Sequence, residues 1–333
     1  MTTHHIPDHR DTVLGDPTGE AAAHAAASPT TRRPASGRTE AAKAQLAAWL
    51  FLIPICVYLV AFYLWPLIRN IDLSLRDYTL GSFITGNAEF VGFDNYSKIF
   101  ADPTFPTALW NTAVFVAMSL IFQYGIGLAL AVFFHRKFPL STTLRALFLV
   151  PWLLPLLVSA SVWAWMMNSD SGVLNYFLES IGLDPVYWLT SPDWSLIAVI
   201  IANIWIGVPF NLVLLYSGLQ AIPEDVYEAA AIDGAGRWQT FWRVTFPLLR
   251  PVSAITILLG LVYTLKVFDI IWIMSRGGPG TTSTTLAIWS YQLGFGGGNP
   301  QLSPAAAVGN VLIIIAFIFG MFYIRAQRKA AAA

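Results

Sequence analysis

Charged side chains and cysteine are both scarce in this sequence. Only 11% of the 333 residues are charged and 56% are hydrophobic, whereas about a quarter of the residues in soluble domains are charged. This composition excludes an ordinary soluble domain and indicates an integral membrane protein. The single cysteine, Cys56, lies in an apolar run, which excludes an intrachain disulfide and a cysteine-based zinc cluster.

The sequence also lacks net charge, a nucleotide-binding motif and a catalytic cluster. Nineteen basic residues balance nineteen acidic ones, so the charge gives no support for a nucleic-acid partner. No Gly-x-x-x-x-Gly-Lys-Ser/Thr phosphate loop occurs, and the glycine-rich run 277–280 lacks the lysine and is interpreted as a turn. No histidine falls within an apolar run, and no serine-histidine or cysteine-histidine set is visible, which argues against a membrane-embedded enzyme.

The N-terminal part of the chain differs from the rest in having few large apolar side chains and no helical or strand periodicity. Such a segment cannot bury enough apolar surface to offset the entropy cost of ordering it. We therefore predict a disordered tail over 1–44, a membrane domain over 45–326 and a short C-terminal tail over 327–333.

Six apolar runs follow this tail, and each is close to the ~20 residues that a helix needs to cross ~30 Å of hydrocarbon. Several contain prolines, so neighbouring helices must satisfy the carbonyl groups that the prolines leave free. The predicted fold is an all-α integral membrane protein with six packed transmembrane helices. The runs lie at 46–68, 107–134, 144–167, 195–216, 251–275 and 305–325.

Lysine and arginine are distributed unevenly among the connections. They are concentrated beside the first run, in the second and fourth connections and at the end of the chain, whereas the connection 168–194 contains none. Basic residues are enriched in cytoplasmic connections. We therefore predict a multi-pass protein whose two termini and fourth connection are cytoplasmic.

The fourth connection is a polar segment with the signals of two short helices. Pro223 and the acids after it are typical of a helix start, Gly234 permits a sharp turn, and Pro247 is expected to end the second helix. Small side chains that would allow close packing occur at Ala229, Ala230 and Ala231. The predicted helix-turn-helix over 222–247 is too short to fold alone, so it must dock on a partner or rest on lipid headgroups.

The residues of this segment form a recognisable signature. Glu228-Ala229-Ala230, Gly234 and the run Val244-Thr245-Phe246-Pro247 resemble the EAA motif of binding-protein-dependent ABC importer permeases. The motif of that family ends in Ile-x-Leu-Pro, and Val244 and Phe246 keep the apolar character of the Ile and Leu. The stretch Tyr227–Pro251 is similar to the carbohydrate-uptake branch and to the maltose-type permeases within it. The likeness extends over about 46–325 through Asn95-Tyr96, Arg145–Pro151 and Phe268-Asp269.

This resemblance implies a fold, a role and a set of partners. It implies the type I ABC importer permease fold and a non-catalytic subunit, in a bacterial cell membrane, that imports a sugar such as a disaccharide or oligosaccharide. The implied partners are a second homologous permease, two cytoplasmic ATP-binding subunits and an external solute-binding protein. ATP and Mg²⁺ would be bound by the ATPase, with no cofactor in this chain. The residues implied in ATPase coupling are Glu228, Ala229, Ala230, Asp233, Gly234 and Pro247.

Polar residues inside the apolar runs are the candidates for a substrate path, because such groups are costly in lipid unless they line a cavity or bond another helix. Asn203 and Lys266 fall at similar depth, so they are expected to meet across a cavity. The alternative is interhelical hydrogen bonding with a Lys266–Asp269 pair that holds the bundle together, and the sequence does not choose between the two. For Asn111, Gln123 and Asn310 we favour the bonding role. The candidate path comprises Asn203, Trp205, Asn211, Tyr263, Lys266 and Asp269.

Two other functions remain open at this point. A self-sufficient secondary transporter would carry acidic residues near the membrane midplane, and only Asp269 is so placed. A permease for glycerol-phosphate-type solutes is the alternative to a sugar permease, because Lys266 is compatible with an anionic substrate.

Overall fold

The computed structural model describes residues 37–136 and 138–332. These residues divide into two units, one that ends at Tyr63 and one that starts at Leu64. The first unit contains helix α1 (Gly37–Leu59), which leads into a π-helical turn at Val60–Leu64. Helix α1 begins inside the segment predicted as a disordered tail, and residues 1–36 of that tail lie outside the described residues.

The second unit is helical apart from one antiparallel pair of two-residue strands. Its N-terminal half contains α2 (Trp65–Leu75), β1 (Arg76–Asp77), α3 (Leu80–Thr85), β2 (Glu89–Phe90), α4 (Asp94–Ala101), α5 (Thr104–His135), α6 (Ser141–Phe148), α7 (Val150–Leu153), α8 (Leu156–Met166) and α9 (Val173–Ser180). Its C-terminal half contains α10 (Ser195–Gln220), α11 (Glu224–Ile232), α12 (Arg237–Thr240), a π-helical turn (Phe241–Thr245), α13 (Phe246–Leu265), α14 (Asp269–Met274), α15 (Leu286–Phe295) and α16 (Leu302–Ala332).

Six segments of the described chain are long and apolar enough to cross a membrane. Five are continuous, and the sixth is a pair, Ser141–Leu153 with Leu156–Met166, that is bent by 94°. The prediction of an all-α protein with six membrane helices is therefore confirmed. The continuous segments are Trp49–Leu75, Thr104–His135, Ser195–Gln220, Arg237–Leu265 and Leu302–Arg325.

The third span is broken rather than gently kinked. The sequence predicts one helix over 144–167, but α7 ends at Leu153, and Leu154 takes an extended conformation with ψ of 142°. The ring of Pro155 disfavours the helical conformation of the residue before it, which explains the extended Leu154. Pro151 does not break its helix, because it stands in the first turn of α7, where an N–H would have no partner.

Pro247 does not end the second helix of the 222–247 segment, so this prediction is wrong. The chain passes from α12 through the π-helical turn Phe241–Thr245 into α13, whose first turn contains Pro247. A proline in a regular α-helix clashes with the preceding turn, and a wider π turn just before it accommodates the ring. In the same way, the π-helical turn Val60–Leu64 comes just before Pro66, which lies in the first turn of α2.

The predicted fifth span, 251–275, is interrupted at Lys266. Helix α13 ends at Leu265, and α14 begins at Asp269. Non-helical backbone at membrane depth is tolerated where it is buried in protein or lines a water-filled cavity. The break therefore marks a place where a cavity is expected.

Helices α5 and α10 pack against each other through glycines. A Cβ atom added to Gly127 of α5 would lie 2.5 Å from Asn211 Cβ of α10, and one added to Gly207 of α10 would lie 2.3 Å from the Gln123 side chain of α5. The neighbouring core includes Phe115, Ala198, Val199 and Ala202, which are all buried. Small residues that let helix backbones approach closely are typical of membrane helix pairs.

Three polar residues for which the sequence favours a bonding role do bond other segments. Asn310 Nδ2 donates to Ser74 Oγ at 2.9 Å, and Asn111 Nδ2 donates to the carbonyl oxygens of Thr281 and Thr284 at 3.0 Å. Gln123 Nε2 donates to the carbonyl oxygen of Asn203 at 2.9 Å. These bonds tie α16 to α2, α5 to the loop before α15, and α5 to α10.

We expect Gly127→Val to destabilise the bundle by about 1–3 kcal/mol, because the side chain cannot enter the contact with Asn211 unless α5 and α10 move apart. The matched control is Gly125→Val on the same helix, where an added Cβ meets nothing within 4 Å. Heat-induced loss of the monodisperse peak in detergent measures the effect. Equal losses for the two variants would show that the α5–α10 contact does not limit stability.

Candidate functional site

A cavity of about 590 Å³ lies among α5, α7, α10, α13 and α14. Four of the six path residues predicted from the sequence line it, namely Asn203, Tyr263, Lys266 and Asp269. Asn203 and Lys266 thus share one cavity, as their similar depth indicates. The volume is within the range of about 300–1,000 Å³ that is usual for small-molecule sites.

Asn203 is held in place by α5 and still offers an acceptor. Its Nδ2 donates to Ser119 Oγ at 2.9 Å, and its backbone carbonyl accepts the Gln123 amide. Within the described residues neither Asn203 Oδ1 nor Gln123 Oε1 accepts a hydrogen bond. Two amide oxygens on rigid side chains are therefore available to hydroxyl donors in the cavity.

Lys266 and Asp269 stand at the two ends of the break between α13 and α14, and both are exposed to the cavity space. Among residues 37–136 and 138–332 the ion pairs join Arg69 and Arg76 to Asp72 and Lys98 to Asp94, so the Lys266–Asp269 pair considered from the sequence is not formed. Lys266 Nζ instead lies 4.9 Å from the centre of the Tyr263 ring. The cavity thus holds a cation and a carboxylate that are each available to a ligand.

Aromatic rings line one side of the same cavity. Trp152 packs against Phe210 with ring centroids 5.9 Å apart, and Phe210 packs against Tyr263 at 5.7 Å. Ring faces next to hydrogen-bonding groups suit a solute that has apolar faces and many hydroxyls.

Trp205 and Asn211 do not line the cavity, although the sequence includes them in the path. Trp205 packs edge-on against Trp163 at 5.9 Å, and Asn211 is buried against Gly127 with its Nδ2 donating to the Gly207 carbonyl at 2.9 Å. Asn211 shares a helix face with Asn203, but the close contact with α5 occupies that part of the face. The helical period shows that Asn203 and Asn211 share a face of α10. It does not show where along that face α5 stops being in contact.

The lining residues that sequence reasoning missed include Gln123, Trp152 and Phe210. Gln123 was assigned a bonding role alone, yet its side chain reaches the cavity. Trp152 follows Pro151, and Phe210 follows Pro209. An aromatic residue next to an intramembrane proline was the available signal, since helices bend there and open space between them.

The 222–247 segment folds as two helices around a glycine turn. Helix α11 ends in a Schellman motif: the N–H of Ala235 donates to the Ala230 carbonyl at 3.0 Å, and the N–H of Gly234 donates to the Ala231 carbonyl at 3.1 Å. Gly234 has a φ of +75°, which only glycine adopts without strain, and an added Cβ would meet nothing within 4 Å. The backbone therefore favours glycine here, while the space beside it is empty.

One face of this segment is open. Ile232 is 86% exposed and Trp238 is 75% exposed, and Glu228, Ala229 and Asp233 are exposed as well. Exposed apolar side chains rimmed by polar ones are typical of a contact surface. Ala230 departs from the prediction, because it is 8% exposed and points into the molecule instead of joining the small-residue surface.

The sequence of these elements matches a described family. The profile of the family "Binding-protein-dependent transport system inner membrane component" matches residues 123–330, which include the cavity and the 222–247 segment. The chain belongs to this family. It is a membrane-embedded, multi-pass ABC importer permease, and the resemblance noted in the sequence is confirmed.

Individual relatives agree with this assignment. The permease is 35% identical over 248 residues to the sulfoquinovosyl glycerol transport system permease protein SmoG of Agrobacterium fabrum, covering 74% of this chain and 80% of that protein. It is 33% identical over 270 residues to the trehalose/maltose transport system permease protein MalF of Thermococcus litoralis, covering 81% and 90%. A chain of the bacterial alginate ABC transporter, crystallised with an alginate pentasaccharide-bound periplasmic protein, matches with a TM-score of 0.75 and 25% identity over 87% of this chain and 97% of that one. The type I ABC importer permease fold is therefore confirmed.

Proposed function

We propose that this permease imports a sugar, a disaccharide or a larger oligosaccharide, through the 590 Å³ cavity. The observation that carries the proposal is a combination of groups around one cavity: amide oxygens and a carboxylate without partners in the described chain, and a series of aromatic rings. Hydroxyl groups of a sugar would donate to Asn203, Gln123 and Asp269, and its ring faces would lie on Trp152, Phe210 and Tyr263. The names of MalF and of the alginate transporter support a saccharide.

The energy for import comes from a separate ATPase in this proposal. The chain contains no phosphate loop, and the open face around Glu228 and Gly234 is suited to docking on a cytoplasmic partner. Two ATP-binding subunits that hold ATP and Mg²⁺, a second homologous permease and an external solute-binding protein complete the transporter. Both termini and the 222–247 segment lie on the cytoplasmic side of a bacterial cell membrane.

Coupling requires two states of the bundle that the ATPase favours differently. Helix α12 continues through the π-helical turn into α13, and α13 ends at the break that carries Lys266. A displacement of the docked segment would thus reach the cavity wall through one nearly continuous helix. The break lets α14 keep its place while α13 moves.

A second candidate substrate class is anionic, of the glycerol-phosphate or sulfonated type. Lys266 favours it, because the ammonium group has no ion-pair partner in the described chain, and the name of SmoG supports it. Lys266→Met distinguishes the classes. Import of an anionic solute would fall by about tenfold or more on losing a charged hydrogen bond, whereas import of a neutral sugar would change less.

The experiment that tests the proposed function is copurification in mild detergent. We expect the tagged permease to retain an ATPase, and we expect Glu228→Lys or Gly234→Asp to weaken that retention. The reconstituted complex should take up sugar only with ATP and the external binding protein. Uptake by the permease alone, driven by an ion gradient, would instead indicate a secondary transporter.

A further inference from the structure

A second cavity, of about 410 Å³, lies between the end of α5 and the 222–247 segment. Its lining includes two arginines, a histidine and a tyrosine, namely Arg136, Arg237, His135 and Tyr227. We call these four residues the basic cluster. The other described lining residues are apolar or carry hydroxyl groups, and no carboxylate is among them.

Within the described residues, the two arginines and the tyrosine of the basic cluster have donor groups without a partner. Neither Arg136 nor Arg237 has an ion pair in the described part of the chain. The Tyr227 hydroxyl is buried and has no hydrogen-bond partner among residues 37–136 and 138–332, while its ring lies 6.2 Å from the His135 ring. A buried hydroxyl without a partner costs about 1–3 kcal/mol, so a ligand that accepts its proton would be favoured.

The place of the cluster in the fold indicates the chemistry of that ligand. Arg136 directly follows the candidate span Thr104–His135, and Arg237 opens the candidate span Arg237–Leu265, so both arginines stand at the ends of candidate spans. Two guanidinium groups and a phenol around one cavity can all donate hydrogen bonds to a bound anion. A phosphate group, with several acceptor oxygens, matches such a set, and arginine binds it in a bidentate manner.

We propose that the basic cluster binds a phosphate group, carried by an anionic phospholipid or by a soluble phosphate compound. The bound phosphate would bridge α5 to the 222–247 segment through Arg136 and Arg237, and it would accept the hydrogen bond of Tyr227. The proposal goes beyond the import of sugar and does not depend on it. Its test measures the binding of phosphate compounds and not transport.

The test uses the full-length chain with the subunits that copurify, in an uncharged detergent. We measure the midpoint of thermal unfolding during titration with phosphatidylglycerol, with phosphatidylcholine and with inorganic pyrophosphate, and we count retained lipids by native mass spectrometry. A rise of the unfolding midpoint with phosphatidylglycerol alone identifies the phosphate of a lipid. A rise of the midpoint with pyrophosphate identifies a soluble phosphate compound. Phosphatidylcholine, whose phosphate is neutralised by choline, should have little effect.

The variants assign the binding to the cluster. We expect Arg136→Gln with Arg237→Gln to weaken the apparent affinity at least about tenfold, and Tyr227→Phe to weaken it by about fivefold while keeping the ring contact with His135. The matched control is Arg250→Gln with Arg325→Gln, two exposed arginines that do not line the cavity. Binding should be unchanged in this control.

Three results would overturn the proposal. The first is no rise of the unfolding midpoint with either phosphate source in the unmodified protein. The second is equal affinity in the unmodified protein and in Arg136→Gln with Arg237→Gln. The third is loss of the copurified ATPase from that double variant without any dependence on phosphate, which would assign the cavity to an acidic side chain of the partner.

Discussion

Uptake by the reconstituted transporter is expected to fall by roughly 10- to 100-fold in Glu228→Lys and in Gly234→Asp, while the permease still inserts and folds. Glu228 is exposed on the open face of α11, so reversing its charge alters the contact with a basic partner surface and not the core. Gly234 is bordered by empty space, and aspartate tolerates a positive φ better than most residues. The added carboxylate would therefore occupy room that the docked ATPase needs. Initial rates of uptake and of substrate-stimulated ATP hydrolysis measure the effect together.

Matched controls separate docking from general damage. Gly236→Asp adds the same charge two residues further on, where φ is −68°, an added Cβ meets nothing, and aspartate is a favourable N-cap for α12. Glu179→Lys reverses a charge on exposed α9, outside the 222–247 segment. Both controls should keep most of the uptake. Full coupled transport by Glu228→Lys and Gly234→Asp would contradict the assignment of this segment to ATPase coupling.

Asp269→Ala is expected to raise the concentration of sugar needed for half-maximal uptake by about tenfold or more, because a hydrogen bond between a hydroxyl and a carboxylate is lost from the cavity. Asp269 has no ion-pair partner in the described chain, so its removal leaves no unpaired cation behind. Asn203→Ala should have a smaller effect on affinity and an additional effect on stability, since its amide also bonds Ser119. Binding-protein-dependent uptake in proteoliposomes measures the affinity of both variants for the sugar.

The control for the cavity is Asp193→Ala, which removes an exposed carboxylate from the connection 168–194 and does not line the cavity. The sugar concentration that gives half-maximal uptake should be unchanged in Asp193→Ala. If Asp269→Ala and Asn203→Ala also left both affinity and rate unchanged, the second permease subunit would supply the sugar contacts. The polar groups of this chain would then serve the packing of the bundle.

Much of this architecture follows from the sequence. The apolar runs predict the six spans, because the thickness of the hydrocarbon sets the length of a helix that crosses it. Gly234 and Pro223 predict the two-helix form of the 222–247 segment, because each residue restricts the backbone locally. Asn203, Lys266 and Asp269 fall on the cavity because a charged or amide side chain inside a span must face another polar group or space.

The remaining features depend on contacts that a single sequence does not reveal. Hydropathy cannot distinguish a kink from the 94° bend at Pro155, since both halves of the span are equally apolar. Pro247 illustrates the same limit, because its effect depends on the π-helical turn that precedes it. Asn211 and Asn203 look alike in the pattern, and only the closeness of α5 and α10 at Gly127 separates a packed amide from one beside a cavity.

The paired glycine contacts of α5 and α10 bear on how the cavity can open. Each helix receives a side chain of the other, Asn211 at Gly127 and Gln123 at Gly207, so the surfaces of the two helices interdigitate. Sliding one helix along the other would require both contacts to separate at once, and well-packed interfaces resist gradual deformation. We therefore expect α5 and α10 to form the stationary wall of the transport pathway. We expect the moving wall to be α13, which runs from the π-helical turn Phe241–Thr245 to the break at Lys266.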